Sequence, residues 1–147
     1  MTRILLPMLP MLPMWLTLLA PAGAAAQCTS GPDEPFGKFV GAFASDKRFA
    51  MSRTHYPLPM RRHPKGDGEA ASGATGVETR LRQDEDAQAP PLAGYARANG
   101  LQLRVASSDA AQATLRMEKP DTDWLLTYHF IRDGRCWFLV RIEDHSL

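Results

Sequence analysis

The last third of the chain restricts the fold most, because it alternates apolar and polar residues in short runs. Two such runs lie within residues 101–117, and a serine- and aspartate-containing turn separates them. Two longer runs lie on either side of Asp133-Gly134. Alternation with a period of two is typical of strands, and Asp-Gly between such runs is a strong hairpin signal. The sequence therefore predicts an antiparallel sheet that ends in a β-hairpin from Trp124 to Glu143.

A two-residue turn at Asp133-Gly134 predicts how the side chains of this hairpin are distributed. In that register Leu126 faces Arg141, and directly opposed residues share one face of the sheet. That face carries most of the candidate ligand-binding side chains, namely Trp124, Tyr128, Trp137, Arg141 and Glu143. The opposite face carries His129, across from Phe138. Both faces hold apolar residues, so we expect both to be covered.

Apolar residues at helical spacing precede the strands. One helix is predicted by four residues at positions i, i+3, i+4 and i+7, which are Phe36, Phe39, Val40 and Phe43. Ser45 is expected to cap a second short helix, which ends before the proline-containing stretch 55–59. A third helix is expected from Leu92 to Ala98, with Asn99-Gly100 as its stop. Helices followed by an antiparallel sheet indicate an α+β fold.

Residues 61–91 contain few apolar side chains that a core could bury. We expect a mobile insertion here, with a short strand at Val77–Leu81. The insertion starts within the basic run Met60-Arg61-Arg62-His63-Pro64-Lys65, which has no interleaved aromatic residues. A solvated loop is therefore favoured over a nucleic-acid site.

The first 26 residues have the layout of a secretory signal peptide. An apolar stretch follows Arg3, and Ala24 and Ala26 fit the small-x-small rule of signal peptidase. Prolines within the stretch disfavour a retained membrane anchor. Cys28 leaves a lipoprotein as an alternative, against which the large polar Gln27 counts. We therefore predict export to the periplasm or beyond the cell, with no stable membrane insertion after cleavage.

Cleavage would leave one domain, residues 27–147, of a size that suits a single core. The count of Lys plus Arg falls from 17 to 16 when Arg3 is removed, and this equals the 16 Asp plus Glu. A neutral chain has no overall attraction to nucleic acid or to an anionic membrane. We therefore expect a small molecule or a protein as the partner.

The two cysteines, Cys28 and Cys136, lie near opposite ends of the mature chain. In an oxidising compartment a disulfide between them is the favoured pairing. Such a bridge would fasten the N-terminus to the last strand and stabilise the fold by about 4 to 5 kcal/mol in the chain-entropy model. A redox-active or nucleophilic cysteine is the alternative, but the sequence has no Cys-x-x-Cys motif.

The two ends of the mature chain carry a pattern that resembles a secreted bacterial family of unknown function. Its N-terminal part is Phe36-x-x-Phe39-x-x-x-Phe43-x-Ser45-Asp46-x-x-Phe49, then Ser52-Arg53 and Tyr56-Pro57-Leu58. Its C-terminal part is Asp123-Trp124-x-x-x-Tyr128-x-Phe130 and Trp137-x-Leu139-Val140-x-Ile142-Glu143-Asp144-x-Ser146. The resemblance implies a fold like the nuclear-transport-factor-two cone, in which a curved antiparallel sheet wraps on N-terminal helices. That cone hosts enzymes, carriers and bare scaffolds, so the resemblance implies no activity.

No motif in the sequence carries a catalytic mechanism. The stretch 66–71 matches a dinucleotide-binding fingerprint, but no strand precedes it and no amphipathic helix follows. Glu143 and Asp144 are neighbours on a strand, so their carboxylates point to opposite faces. Asp144-His145-Ser146 contains the residue types of a catalytic triad in positions too close for its chain of hydrogen bonds. The sequence therefore indicates a protein that is not an enzyme.

The four histidines, His55, His63, His129 and His145, have no spacing typical of a metal site and no thiolate partner. We therefore expect no metal site and no cofactor. His129 is expected to be a hydrogen-bonded core histidine, with a functional base as the alternative.

Three functional hypotheses follow from these features. The first is an exported, non-enzymatic binding module, with the aromatic hairpin face and Arg141 lining a pocket. The plainer alternative is that these aromatics only pack against the first helix. The second is a small cone-fold enzyme in which His129 or Glu143 accepts a proton. The third is a toxin-neutralising or inhibitory protein of the bacterial envelope.

Overall fold

A computed structural model describes residues 32–63 and 76–146 of the chain. The predicted signal peptide, Cys28, the fingerprint-like stretch 66–71 and the rest of residues 64–75 lie outside the described residues. In chain order the elements are α1 (Phe36–Ser45), α2 (Lys47–Ser52), β1 (Leu58–Arg62), β2 (Val77–Leu81), α3 (Gln83–Asp86), α4 (Leu92–Ala98), β3 (Gln102–Ser108), β4 (Gln112–Glu118), β5 (Leu125–Asp133) and β6 (Cys136–Asp144). Within the described ranges, no helix is long and apolar enough to cross a membrane.

The strands form one six-stranded sheet in the order β2-β1-β6-β5-β4-β3. All neighbours are antiparallel except β1 and β6, which run parallel. The edge strand β3 has a bulge between Val105 and Ser107. The helices pack on one face of this sheet, so the predicted α+β fold is confirmed.

Aromatic side chains join α1 to the sheet. Phe36 contacts Trp137 and Phe130 in edge-to-face geometry, at ring-centroid distances of 5.0 and 5.4 Å. Phe39 and Phe43 contact Phe130 in the same way, at 5.5 and 5.2 Å. The apolar stripe of α1 therefore faces the sheet, as its helical spacing predicts.

The break between α1 and α2 depends on Asp46. Its backbone is extended, and its carboxylate accepts hydrogen bonds from the backbone N–H groups of Arg48 and Phe49. A side chain that satisfies these N–H groups is the usual cap of a helix N-terminus. The prediction that Ser45 caps α2 is therefore wrong by one residue, because Ser45 is the last residue of α1.

The hairpin register differs from the one predicted. Asp133 pairs with Cys136, so the turn consists of Gly134 and Arg135, and Gly134 has a positive φ of 59°. Glycine at the first of two turn positions suits a type II′ hairpin turn. The turn thus lies one residue later than a turn at Asp133-Gly134.

A bulge in β6 changes the faces farther from this turn. Phe130 pairs with Leu139 but His129 pairs with Arg141, so Val140 is an extra residue. Beyond the bulge the side chains exchange sides. Arg141 and Glu143 therefore lie on the face away from the helices, and the prediction that they share a face with Tyr128 is wrong.

In the expected insertion, the described residues 61–63 and 76–91 include two strands and a short helix. Its first residues complete β1, which lies between β2 and β6 in the sheet, so the expected basic loop is partly a strand. Val77–Leu81 is the strand β2, as predicted. Helix α3 follows, and its Asp86 contacts the α1–α2 half of the domain through Lys47 and Tyr56.

The segment before α1 is fastened to the hairpin through Glu34. Its backbone N–H donates to the carbonyl of Arg135 at 3.0 Å, and its carboxylate accepts from the backbone N–H of Trp137 at 3.1 Å. Cys136 lies between these two positions and is buried. Because Cys28 lies outside the described residues, the disulfide stays a prediction.

Candidate functional site

A cavity of about 280 Å³ lies between the helices and the sheet. Its walls are mainly apolar and come from both layers: Phe43, Ala50, Leu58, Leu81, Leu92, Met117, Leu126, Leu139 and Ile142. Ala89 and Pro90, in the link between α3 and α4, also line it and are exposed. This link therefore forms the rim at which the cavity meets solvent.

Short helices leave this space open. α1 covers the part of the sheet near Phe130 and Trp137, whereas α2 has six residues and presents the small Ala50 to the cavity. The far side is enclosed by the link 87–91 and the start of α4 rather than by a long helix. The interior on the helix side is thus hollow next to α2 and filled beneath α1.

One wall of the cavity carries an ion pair. Nζ of Lys47 lies 2.7 Å from Oδ1 of Asp86, and the hydroxyl of Tyr56 donates a hydrogen bond to Oδ2 of the same carboxylate. Both charged side chains are about four-fifths buried, with 20% and 18% exposure. The carboxylate therefore has two partners, and the charges of the wall cancel.

Tyr128 points into the cavity from β5 and is buried. Burial, followed by the nearby Tyr95 and the negative charge of Asp86, raises the pKa of Tyr128 well above its ordinary value. Its hydroxyl makes no hydrogen bond to any residue that the structure describes. A protonated phenol without a protein acceptor leaves one hydrogen-bond donor for a molecule in the cavity.

Tyr56 is likewise held neutral. Burial first, and then the hydrogen bond and negative charge of Asp86, raise its pKa far above the ordinary value. Unlike Tyr128, Tyr56 already has its acceptor. The two phenols therefore differ, because the hydroxyl of Tyr56 joins α3 through Asp86, whereas that of Tyr128 has no acceptor among the described residues.

Of the predicted site residues, only Tyr128 lines the cavity. Trp137 is fully buried beneath α1, where the guanidinium of Arg132 lies 4.6 Å from its ring, so it belongs to the core. Trp124 is partly buried and packs at the edge of the core, just before β5. Lys47, Tyr56, Asp86 and Tyr95 were not predicted from the sequence.

The remaining predicted residues, His129, Arg141 and Glu143, meet on the outer face of the sheet. Nε2 of His129 lies 3.1 Å from Oε2 of Glu143, and Nε of Arg141 lies 3.2 Å from its Oε1. Burial alone would raise the pKa of Glu143, but the positive charges of His129 and Arg141 outweigh it and hold this pKa below its ordinary value. Neither His129 nor Glu143 borders the cavity, so the cavity gives no support to proton transfer by these groups.

No family model matches the chain, and no curated protein matches it. Among solved structures, an NTF2-like protein from Bacteroides fragilis is similar over 80% of this chain, with 22% sequence identity and a TM-score of 0.56. The chain has an NTF2-like fold. It spans half the length of that protein, of which 50% is covered.

Two further structures show weaker similarity to this chain. An NTF2-like protein of unknown function from Pseudomonas putida has 9% identity and a TM-score of 0.36, with 76% of this chain and 81% of that one covered. A protein from Bacteroides uniformis, of a family of unknown function, has 9% identity and a TM-score of 0.43, with 77% and 96% covered.

Proposed function

We propose that this NTF2-like domain is a non-enzymatic binding module that holds a small, mainly apolar ligand in its interior cavity. The observation that carries the proposal is the hollow space beside α2, with apolar walls and the hydroxyl of Tyr128, which has no acceptor among the described residues. Concave apolar sites with a few placed polar groups are typical of small-molecule binding.

The lining also restricts the chemistry of the ligand. A volume of about 280 Å³ is just below the roughly 300 to 1,000 Å³ found for pockets that bind drug-sized molecules, so the cavity suits a small ligand. Lys47 and Asp86 neutralise each other, so the cavity favours an uncharged ligand. The donor of Tyr128 favours a ligand with one acceptor oxygen, such as a carbonyl group.

Acetophenone is a suitable probe, because it combines an apolar ring with one carbonyl group. We expect it to bind the purified chain and to shift the NMR signals of the residues around the cavity. Ala89→Trp, at the rim, should block the entrance and abolish these shifts. Ala87→Trp is the matched control, since Ala87 is exposed on the same link but does not line the cavity. Failure of the parent chain to bind, or equal binding by both variants, contradicts the proposal.

The role of Tyr128 is tested with a second ligand, cumene, in which a methyl group replaces the carbonyl oxygen. Tyr128→Phe removes one hydrogen bond to acetophenone, which should weaken its binding about three- to tenfold. Binding of cumene should change little, because the ring and the volume are kept. Equal loss for both ligands would mean that Tyr128 acts only through packing.

We also propose that the chain is exported and that Cys28 and Cys136 form a disulfide. The N-terminal pattern of residues 1–26 supports export. The hydrogen bond between Glu34 and Arg135 supports the bridge. Arg135 is the neighbour of Cys136, and Glu34 follows Cys28 by only six residues, so the chain after Cys28 reaches the position next to Cys136 within a short distance along the sequence. Mass spectrometry of the secreted protein under non-reducing conditions tests both, and two free thiols would contradict the bridge.

A further inference from the structure

The outer face of the sheet brings together histidines that lie far apart in the sequence. β1 and β6 are parallel, and Arg62 lies opposite Asp144. The residues that follow these two strands, His63 and His145, therefore also lie side by side. The backbone N–H of His63 donates to the carbonyl of Asp144 at 2.9 Å, which extends this pairing. The imidazole rings of His63 and His145 are stacked, with centroids 4.3 Å apart and planes 10° from parallel.

A carboxylate completes this cluster. Glu143 lies on the same face as His145, two residues earlier, and its Oε2 is 3.5 Å from Nε2 of His145. One ligand atom from each of His63, Glu143 and His145 lies within 4.8 Å of the other two. Three potential ligands thus converge from two strands.

From this arrangement we propose that His63, Glu143 and His145 form a binding site for a divalent transition-metal ion, with Zn²⁺ as the preferred ion. Two imidazoles and one carboxylate are a donor set that zinc uses when one coordination position stays open. Bonds of about 2.0 to 2.1 Å to a tetrahedral ion place the ligand atoms roughly 3.4 Å apart. The pair of Glu143 and His145, at 3.5 Å, already has about this separation. The stacked rings of His63 and His145 have to rotate out of parallel so that both nitrogens point at one ion.

Two further observations support this site. Nε2 of His63 is buried and has no hydrogen-bond partner among the described residues, so this nitrogen can accept a metal ion. Glu143 is also held in place by two neighbours, His129 at 3.1 Å from the same Oε2 and Arg141 at 3.2 Å from Oε1. Groups that orient a ligand in this way are common around metal sites.

The site differs from the proposed ligand cavity in position and in chemistry. Glu143 lies on the face away from the helices, whereas its neighbour Ile142 lines the cavity. The two proposals therefore stand independently.

The test is a titration of the purified chain, without a polyhistidine tag, with Zn²⁺ alone in isothermal calorimetry. We expect one bound Zn²⁺ per chain, and we expect His63→Ala and His145→Ala each to lower the affinity by about tenfold or more. Glu143→Gln keeps the shape of the side chain and removes its charge, and it should weaken binding as well. Cobalt substitution gives a second measurement, since visible absorption bands report a four-coordinate site.

His55→Ala is the matched control, because the ring of His55 contacts Phe138 and is not part of the cluster. It should bind Zn²⁺ as the parent does. Thermal unfolding without metal identifies any variant that fails to fold, and His145, near the end of the described chain, is the safest of the three to replace. Absence of stoichiometric binding by the parent, or equal affinity of the parent and the folded His145→Ala variant, overturns the proposal.

Discussion

At the scale of single residues, Arg53 is a cation in an unusually apolar position. Its side chain is 3% exposed, and its guanidinium lies 5.2 and 5.5 Å from the ring centroids of Phe49 and Phe138. Its ionic partner is Glu34, at 3.5 Å between Nη1 and Oε2. A buried charge needs such a partner, so Glu34 stabilises Arg53 as well as the hairpin.

Replacing Glu34 by alanine should therefore be strongly destabilising. The change leaves Arg53 without its carboxylate and Trp137 without an acceptor for its backbone N–H. Removal of one partner of a buried pair lowers the free energy of unfolding by about 3 to 5 kcal/mol, and the cation–π contacts place this case near 3 kcal/mol. Urea unfolding monitored by tryptophan fluorescence measures the change.

The adjacent acidic residue provides the control. Asp33 pairs with Arg132 at 2.8 Å, but its side chain is 63% exposed. Exposed pairs contribute about 1 kcal/mol or less, so Asp33→Ala should shift the urea midpoint only slightly. Similar shifts of the urea midpoint for Glu34→Ala and Asp33→Ala would show that the burial of Arg53 does not determine how much its ion pair contributes to stability.

Tyr128 should make stability depend on pH in the alkaline range. Its pKa is raised in the folded state, chiefly by burial, so the unfolded chain loses this proton first as pH rises. Its contribution is complete below the unfolded pKa of about 10 and decreases above it. We expect the parent to lose stability relative to Tyr128→Phe as the pH rises from about 10 to about 12, as measured by urea unfolding. A constant difference between the two proteins would contradict this.

At the scale of elements, the bulge at Val140 decides what β6 presents to each side. It puts Ile142 opposite Tyr128 in the core and Arg141 opposite His129 on the outer face. Without the bulge, Arg141 would point to the core and Ile142 to the outer face. One extra residue therefore separates the cavity wall from the charged cluster.

Substitutions at these two neighbours test the bulge. Ile142 is 7% exposed, and Ile142→Ala should lower the free energy of unfolding by about 2 to 5 kcal/mol. Arg141 is half-exposed, and Arg141→Leu should change it by about 0.5 kcal/mol or less. Thermal or urea unfolding of both variants measures these effects, and the reverse order would mean that β6 runs without the bulge.

The elements predicted well from the sequence are those fixed by neighbouring residues. Helix α4 begins and ends where the pattern predicts, at Leu92 and Ala98, because Gly100 provides the positive φ of its stop. The hairpin is also local, and only its register is displaced. The bulge escaped prediction because its cause is packing: it turns Ile142 towards the core, which local sequence does not reveal.

Strand β1 was missed for a related reason. It contains Pro59 and two arginines, which read as a loop when taken alone. Its place in the sheet comes from parallel pairing with β6, about 80 residues away. A pairing between distant segments leaves no short-range pattern, and it is the pairing that places His63 beside His145.

At the scale of the whole molecule, the site residues also divide into those that a local pattern predicts and those that depend on contacts between distant segments. Tyr128 was predicted because it belongs to the alternating hairpin, whereas the pairing of Lys47 with Asp86 joins α2 to α3 across the cavity. Asp86 belongs to an acidic run that resembles solvent-exposed chain, and only the complete fold gives it partners. The fold class and the aromatic core were therefore predictable, but the cavity and the histidine cluster required the tertiary structure.

The edges of the sheet, β2 and β3, have a further consequence for how the molecule behaves in a crowded solution. β2 carries Glu78 and Arg80, β3 carries Arg104, and β3 is also bent by its bulge. An open strand is a template for another chain, and charges and bulges are the features that prevent such pairing. Among the described residues neither edge strand pairs with a further strand, and these charges and the bulge disfavour aggregation of copies at both edges.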